Sequence, residues 1–270
     1  MTVQNDRYVV PSVVRALRVL EAFSVKKNTY TNSELSRKLD LNKSTVTRLL
    51  YSLEKAGFIK RNKDTGAYAL TCKAYQIGRV YIKQADYHRI SMPVLEQLTA
   101  RCREASHLGI LDDTQVFYLD WIESDQPVSL ASLSGKKLPA YCTGVGKNFL
   151  AHMDEETRSA YLQETELIQH TIHTIADSER LERHLEQVKE QGYAIDYGEF
   201  QQDVISVSGP IFDYSGSMIA GISVAGPTFR MSDTVLENLI IPEVAKAAVE
   251  ISRQLGWDLQ HQAITPNILV

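Results

Sequence analysis

Apolar residues return every three or four positions at Val13, Val14, Leu17, Leu20 and Phe23, behind Pro11-Ser12, and this spacing predicts a helix over about 12–24 with Ser12 as its cap. Thr31, followed three residues later by Glu34 and then by Leu35 and Leu39, forms a capping-box pattern that opens a short second helix. Asp40-Leu41-Asn42 interrupts it. Leu41 supplies an apolar plug for the turn, and Asn42 can cap a third helix with Val46, Leu49, Leu50 and Leu53 on its inner face. Gly57 ends that helix, because the left-handed conformation is open to glycine. The period then drops to two: Phe58–Arg61 and Ala67–Leu70 alternate around the turn residues 62–66, as in a hairpin.

Residues 71–90 have no interior proline, and Tyr75, Ile77, Val80 and Tyr81 stand among Lys, Arg and Gln, which predicts a linker helix. Pro93 suits the first turn of a new helix reaching about Arg103 through Val94, Leu95 and Leu98. A hairpin is expected from His107–Leu111 and Val116–Ile122, with a further strand near Val128–Leu133. Helices are expected over 145–152, 154–163 and 178–191, strands over 193–197, 205–212 and 218–225, and a closing helix over 233–255. Tight hairpins without regular βαβ alternation favour an α+β fold with an antiparallel sheet. The expected domains are 1–72, a linker at 73–90, and 91–270.

Charge sharpens this division. Residues 1–90 hold 17 Lys+Arg against 7 Asp+Glu and residues 91–270 hold 12 against 26, so the net −4 hides a basic end and an acidic end. An apolar fraction of 44 % fits a globular protein, with no run long enough to cross a bilayer. Residues 1–8 are polar, without the apolar core of a secretory signal, and Cys72, Cys102 and Cys142 lack disulfide or metal spacing. The expectation is a cytoplasmic chain with three free, buried thiols and with no metal, cofactor or membrane partner.

The polar face of the third helix carries Lys43, Ser44, Thr45, Thr47 and Arg48 in its N-terminal half, where the second helix of a helix-turn-helix meets base edges. Lys60, Arg61 and Lys63 on the hairpin would contact phosphates. A base-stacking aromatic strand signature is missing, which argues against RNA. In the acidic part, Thr143-Gly144-Val145-Gly146-Lys147 opens a helix and offers amides to an anion such as a carboxylate. It is not a phosphate loop of the nucleotide-binding type, since Tyr141 and Asn148 occupy positions that need Gly and Ser or Thr.

The runs Val13-Val14-Arg15-Ala16-Leu17, Leu20-Glu21, Ser44-Thr45-Val46-Thr47-Arg48-Leu49-Leu50 and Leu53-Glu54-Lys55-Ala56-Gly57-Phe58 resemble the IclR family of bacterial transcription regulators. The resemblance continues through Gly144-Val145-Gly146-Lys147, Leu150-Ala151, Gly192-Tyr193, Gly209-Pro210-Ile211 and Ser223-Val224-Ala225-Gly226-Pro227, in order along nearly the whole chain. It implies an N-terminal winged helix-turn-helix, a linker helix and a C-terminal GAF-like effector-binding domain that forms homodimers or homotetramers. It also implies a repressor of a catabolic operon, or alternatively an activator, that binds double-stranded operator DNA and answers to a small organic acid.

By motif position the resemblance places Gly144, Val145, Asp196, Ser206 and Ser223 at the effector; Thr31 and Ser33, at the start of the second helix, are further expected DNA contacts. Apolar walls would come from Val128, Leu130, Val204 and Trp121, and Lys147 would be the cation near the ligand. The chain departs from many members at Tyr141 (His), Gly144 (Ala) and Ser206 (Cys). Asp196 and Glu199 can equally be surface carboxylates, and His170, His173 and His184 fall in stretches typical of solvated histidines. The competing enzyme reading would use Cys142 as nucleophile, His107 or His152 as base and Asp196 as orienter. It finds no supporting catalytic motif.

Overall fold

The computed structural model describes residues 8–24, 27–77 and 86–257, and the chain divides into compact units Met1–Gln84 and Ala85–Val270. The first unit opens with α1, Pro11–Glu21, in which Pro11 rather than Ser12 starts the helix and Val10 precedes it without a side-chain cap. Helix α1 buries Val19, and Ala22 just after it is buried too, whereas Val13 and Leu17, expected inside, are more than half exposed. The strand β1, Thr29–Tyr30, is too short to show a pattern and was not expected.

Helix α2, Asn32–Leu39, starts at the expected capping box. The Glu34 amide donates to Thr31 Oγ1, and the Thr31 amide donates to Glu34 Oε2 at 2.8 Å. Asp40 takes the left-handed turn at φ 52, and α3, Lys43–Lys55, follows with Asn42 at its start but no side-chain cap from it. Leu35, Val46, Leu49, Leu50, Leu53 and Ile59 close the core with Val19. Gly57 adopts φ 78 as its position requires. Strands β2, Ile59–Arg61, and β3, Tyr68–Leu70, form the hairpin, and β1 adds to the far side of β3. A helical stretch at 72–77 follows. The rest of the expected linker, with Val80 and Tyr81, lies outside the described residues.

In the second unit α4 runs unbroken over Asp86–Cys102, so Pro93 sits inside it instead of opening a new helix. The expected boundary at residue 90 is therefore absent from the helix. A six-stranded antiparallel sheet follows in the order β6-β5-β4-β9-β8-β7, formed by β4 Ala105–Asp112, β5 Gln115–Ile122, β6 Lys137–Pro139, β7 Ala194–Tyr197, β8 Val204–Phe212 and β9 Met218–Pro227. The strand expected near Val128–Leu133 is an irregular segment, and β6 lies further on, paired with β5.

Alternation along the strands separates the two faces. Leu108, Ile110, Val207, Ile211, Ile222 and Val224 face α4 and the last helix, α8, Ile241–Gln254, in one apolar core. The closing helix is not regular throughout: a π turn over Leu236–Ile240 precedes Pro242. The other face is covered by α5, Gly144–His152, α6, Glu155–Glu164, and α7, Ser178–Gln191, through Val145, Phe149, Leu150, Leu181 and Leu185. Here the sheet turns polar, with His107, Ser206, Ser208 and Ser223 between apolar neighbours.

Candidate functional site

The exposed end of the first unit is α3 and the hairpin. Lys43, Ser44, Thr47 and Arg48 are exposed on α3, and Thr45, beside Val46, is half-buried. Two hydroxyls in the expected set are already engaged. Thr47 Oγ1 donates to Lys43 O at 2.8 Å and accepts from Asn32 Nδ2 at 2.7 Å, and Thr31 serves the capping box. Ser33 is half-buried on the first turn of α2. Glu34 is held down to about 2, chiefly by its bond from Lys27, so the cap stays ionised. In the hairpin, Asn62 Oδ1 accepts from the amides of Asp64 and Thr65, fixing a turn from which Lys60, Arg61 and Lys63 project into solvent. Cations are thus exposed on the N-terminal half of α3 and on the hairpin, two elements in contact, a surface suited to a polyanion.

The second unit encloses a cavity of about 260 Å³ between the polar face of the sheet, the irregular segment before β6 and the turn after β7. Leu130, Asp196, Val204, Ser206, Ser223 and Trp121 line it as expected, joined by His107, Tyr118, Lys136, Thr143, Phe200 and Gln201. Strand register assembles its floor. Trp121 pairs with His107, His107 with Ser223, and Ser223 with Ser208, which makes one row across four strands; Ala225, Ser206 and Asp196 form the next.

Three expected residues do not line the cavity. Val128 is 57 % exposed, and only its carbonyl is engaged, by Arg230 at 2.8 Å. Gly144 lies so close to the sheet that an added Cβ would sit 2.7 Å from Ser208 Oγ. Val145 is buried against Gly109 and Gly221, where an added Cβ would meet its Cγ1 at 3.3 and 2.8 Å. The glycine turn thus lets α5 pack tightly on the sheet, and Gly146 likewise leaves no room between α5 and the Ala140 backbone.

Lys147 also departs from expectation: it is fully buried below the cavity, paired with Glu199, donating to Ile195 O and 3.2 Å from His184 Nε2. The cation among the lining residues is Lys136. Asp196 and Glu199 are both buried rather than on the surface. Burial raises Asp196 to about 7 against the opposing pull of Lys147, and its Oδ1 accepts from the Glu199 amide at 2.6 Å. His184, expected in solvent, is half-buried, and desolvation lowers it to about 4.

The nucleophile arrangement is not present among these residues. The Cys142 thiol is pushed up by burial and its weak contact is to Pro139 O, whereas His107 Nδ1 bonds Ser223 Oγ at 2.9 Å and burial holds the ring neutral down to about 3. His152 Nδ1 is engaged by Asn148 O at 2.8 Å. Cys102 is buried, but Cys72 is exposed, contrary to expectation. Among the described residues there is no cluster of potential metal ligands, and no helix is long and apolar enough to cross a membrane.

The residues missed from sequence are mostly single polar positions inside apolar strands or side chains on irregular segments. His107 and Ser208 carried a usable signal, since a polar side chain on an otherwise buried strand must find partners. Lys136, Phe200 and Gln201 carried none, because their placement depends on chain paths that have no periodicity.

Residues 12–63 match the helix-turn-helix domain of IclR, and residues 79–253 match the C-terminal domain described as bacterial transcriptional regulator IclR. The chain is 31 % identical to the transcriptional regulator XynR of Escherichia coli K12, over 92 % of this chain and 98 % of that protein. It is 28 % identical to the acetate operon repressor of Salmonella typhimurium, over 92 % and 90 %. A solved homologue from Microbacterium hydrocarbonoxydans, complexed with 4-hydroxybenzoate, superposes with a TM-score of 0.79 at 26 % identity, covering 90 % of this chain and 98 % of that one.

Proposed function

The chain belongs to the IclR family of bacterial transcriptional regulators, and from this membership we propose that it is a cytoplasmic repressor of a catabolic operon, released from its operator by a small organic acid. A DNA-binding regulator is what the family does; the effector class, the sign of regulation and the assembly are our reading. The observation that carries it is the pairing of two different surfaces in one chain. An exposed cationic helix and hairpin suit phosphates, and a partly open cavity of mixed lining suits a metabolite. Lys136 favours an anionic ligand, and with Asp196 in the same lining a single carboxylate fits better than a phosphate ester.

Self-association through the first unit has a candidate surface in α1 and the residue before it, where Val10, Val13 and Leu17 are exposed. A homodimer or homotetramer built there would present two hairpin units to a palindromic site. The acid then acts by its differential affinity for two arrangements of the assembly. The test is fluorescence anisotropy of DNA from the region upstream of the regulated operon, with and without a panel of organic acids. Release by at least one acid supports the reading, and release only by amines or sugar phosphates contradicts it.

A further inference from the structure

Between β5 and β6 the chain runs as an irregular segment, residues 123–136, that forms one wall of the cavity through Ser129, Leu130, Ala131, Leu133 and Lys136. Its two ends are tied to the fold. At the start Ser124 Oγ donates to Arg103 O at 2.9 Å. At the end the Gly135 amide donates to Tyr118 O at 2.8 Å, and Ser134 Oγ donates to Leu119 O at 3.1 Å. Between Gln126 and Ser134, among the described residues, one hydrogen bond joins the stretch to the rest of the unit: Arg230 Nη2 donates to Val128 O at 2.8 Å. The Val128 side chain adds little, being 57 % exposed.

The arginine is itself held in place. Arg230 ends the 3-10 turn Thr228–Arg230 that follows β9, and its guanidinium forks onto Glu104, with Nε donating to Oε1 and Nη2 to Oε2 at 2.8 Å. Glu104 is only 5 % exposed and stands one residue before the Ala105–Ala225 pair of β4 and β9. An added Cβ on Gly226 would lie 2.8 Å from Glu104 Cδ, so the missing side chain is what lets the carboxylate lie against the strand. A planar fork on a carboxylate fixes the guanidinium. Nη2 carries two hydrogens, and with one spent on Glu104 the other is directed to Val128 O. Neither Glu104 nor Arg230 lines the cavity; they position a wall that does.

We propose that Arg230, oriented by Glu104, is the latch of the cavity wall: its bond to Val128 O holds residues 127–133 in place, and its release lets that stretch swing between its tied ends to admit or free a ligand. A stretch with a single tether opens locally while the sheet beneath it stays intact. The pair therefore sets the rate of exchange with the cavity and leaves recognition to the lining. The proposal rests on the reading of the cavity as an effector site, but its test uses no effector. Organic acids that fail to release DNA would sink that reading and leave the latch standing, and a latch that fails leaves that reading untouched.

The experiment uses the full chain carrying Trp257→Phe, in which Trp121 on the cavity wall is the single tryptophan, with acrylamide as a small neutral quencher of its emission. Thermolysin under native conditions reads the stretch directly, by cleavage before Leu130 and Leu133 located by mass spectrometry. The double variant Arg230→Met with Glu104→Gln removes the tether without stranding a buried charge. Glu104→Gln alone keeps the donor and loosens its support. The expected result for the double variant is about tenfold faster cleavage at these two sites, the scale of one charge-assisted hydrogen bond, and a quenching constant about threefold higher. Glu104→Gln should give smaller rises of the same kind. Cleavage within β4, β5 and β9 should change by less than about twofold in both variants.

Equal cleavage and equal quenching in the parent and the double variant overturn the proposal. So does faster cleavage spread evenly over the second unit, which is what a merely structural ion pair produces. If the double variant does not fold, the parent chain decides: cleavage before Leu130 and Leu133 must be insensitive to low urea, as local opening is. Cleavage there that rises with urea in step with unfolding of the whole unit overturns the latch.

Discussion

The two units build their functional surfaces in opposite ways. In the first, the polar groups lie outside an apolar core: Lys43, Arg48, Lys60 and Lys63 are exposed, while Val46, Leu50 and Ile59 hold the helices and hairpin together. In the second, the polar groups are inside: His107, Asp196, Glu199 and Lys147 are all buried between sheet and helices. Removing one side chain from an exposed surface changes binding and little else. Removing one from a buried network leaves its partner stranded, so function and stability are coupled there. Repulsion and solvation keep the cations of the first unit apart, whereas desolvation forces the charges of the second into pairs.

Lys147→Met breaks this contrast most severely. It strands Glu199, whose Oε2 already lacks a partner among the described residues, and should cost about 3–5 kcal/mol, seen as a large fall in urea midpoint. The double variant Lys147→Met with Glu199→Gln should recover much of that loss, because the uncompensated charge is gone. In the first unit the comparable damage needs a core change. Leu50→Ala, at a fully buried position, should cost about 2–5 kcal/mol and abolish DNA binding. Calorimetry on both variants checks whether each transition is confined to its own unit.

A pH series sharpens the comparison further. Asp196 titrates near 7 when folded and at its ordinary 3.8 when unfolded, so the folded chain binds its proton more tightly. Its contribution to stability is complete below about pH 4 and is lost as pH rises to about 7. Asp196→Asn removes that loss, and its stability relative to the parent should rise by on the order of 4 kcal/mol between pH 4 and 8 in urea unfolding. His107 has the opposite sign, being lowered to about 3, so its contribution is lost only as pH falls below about 6.5.

The smallest effects belong to the exposed surface. Arg48→Ala should relax operator selectivity by about 1–3 kcal/mol with unchanged melting, measured by competition between operator and random DNA. Lys63→Ala should weaken all sequences alike and reduce the salt slope by about 1.

The same contrast explains what was legible in the sequence. The capping box of Thr31 and Glu34, the stripe of Val46, Leu49, Leu50 and Leu53, and Gly57 at φ 78 are local patterns, and the structure reproduces them. Periodicity placed α1 correctly but not its buried face, because helical spacing alone does not say which stripe meets a neighbour. In the second unit the strands β4, β5, β8 and β9 were readable from alternation and turns. The cavity was not, since Trp121, His107, Ser223 and Ser208 are brought into one row by register across residues far apart in the chain. Gly144-Val145-Gly146-Lys147 looked like an anion site for a physical reason: glycines at a helix start suit both an approaching ligand and an approaching sheet. Here the sheet occupies the space, and the lysine is drawn inward to Glu199.

The central claim is that the cationic surface of α3 and the hairpin grips the duplex. The most direct test is the affinity of the full chain for a 30-base-pair random duplex across a salt series, beside a variant with Lys43, Arg48, Lys60 and Lys63 all changed to alanine. The account predicts a linear fall of log affinity with log salt in the parent and a slope smaller by about 4 in the variant, whose fold is unchanged by circular dichroism. Equal affinity and equal slope for the two proteins would contradict it.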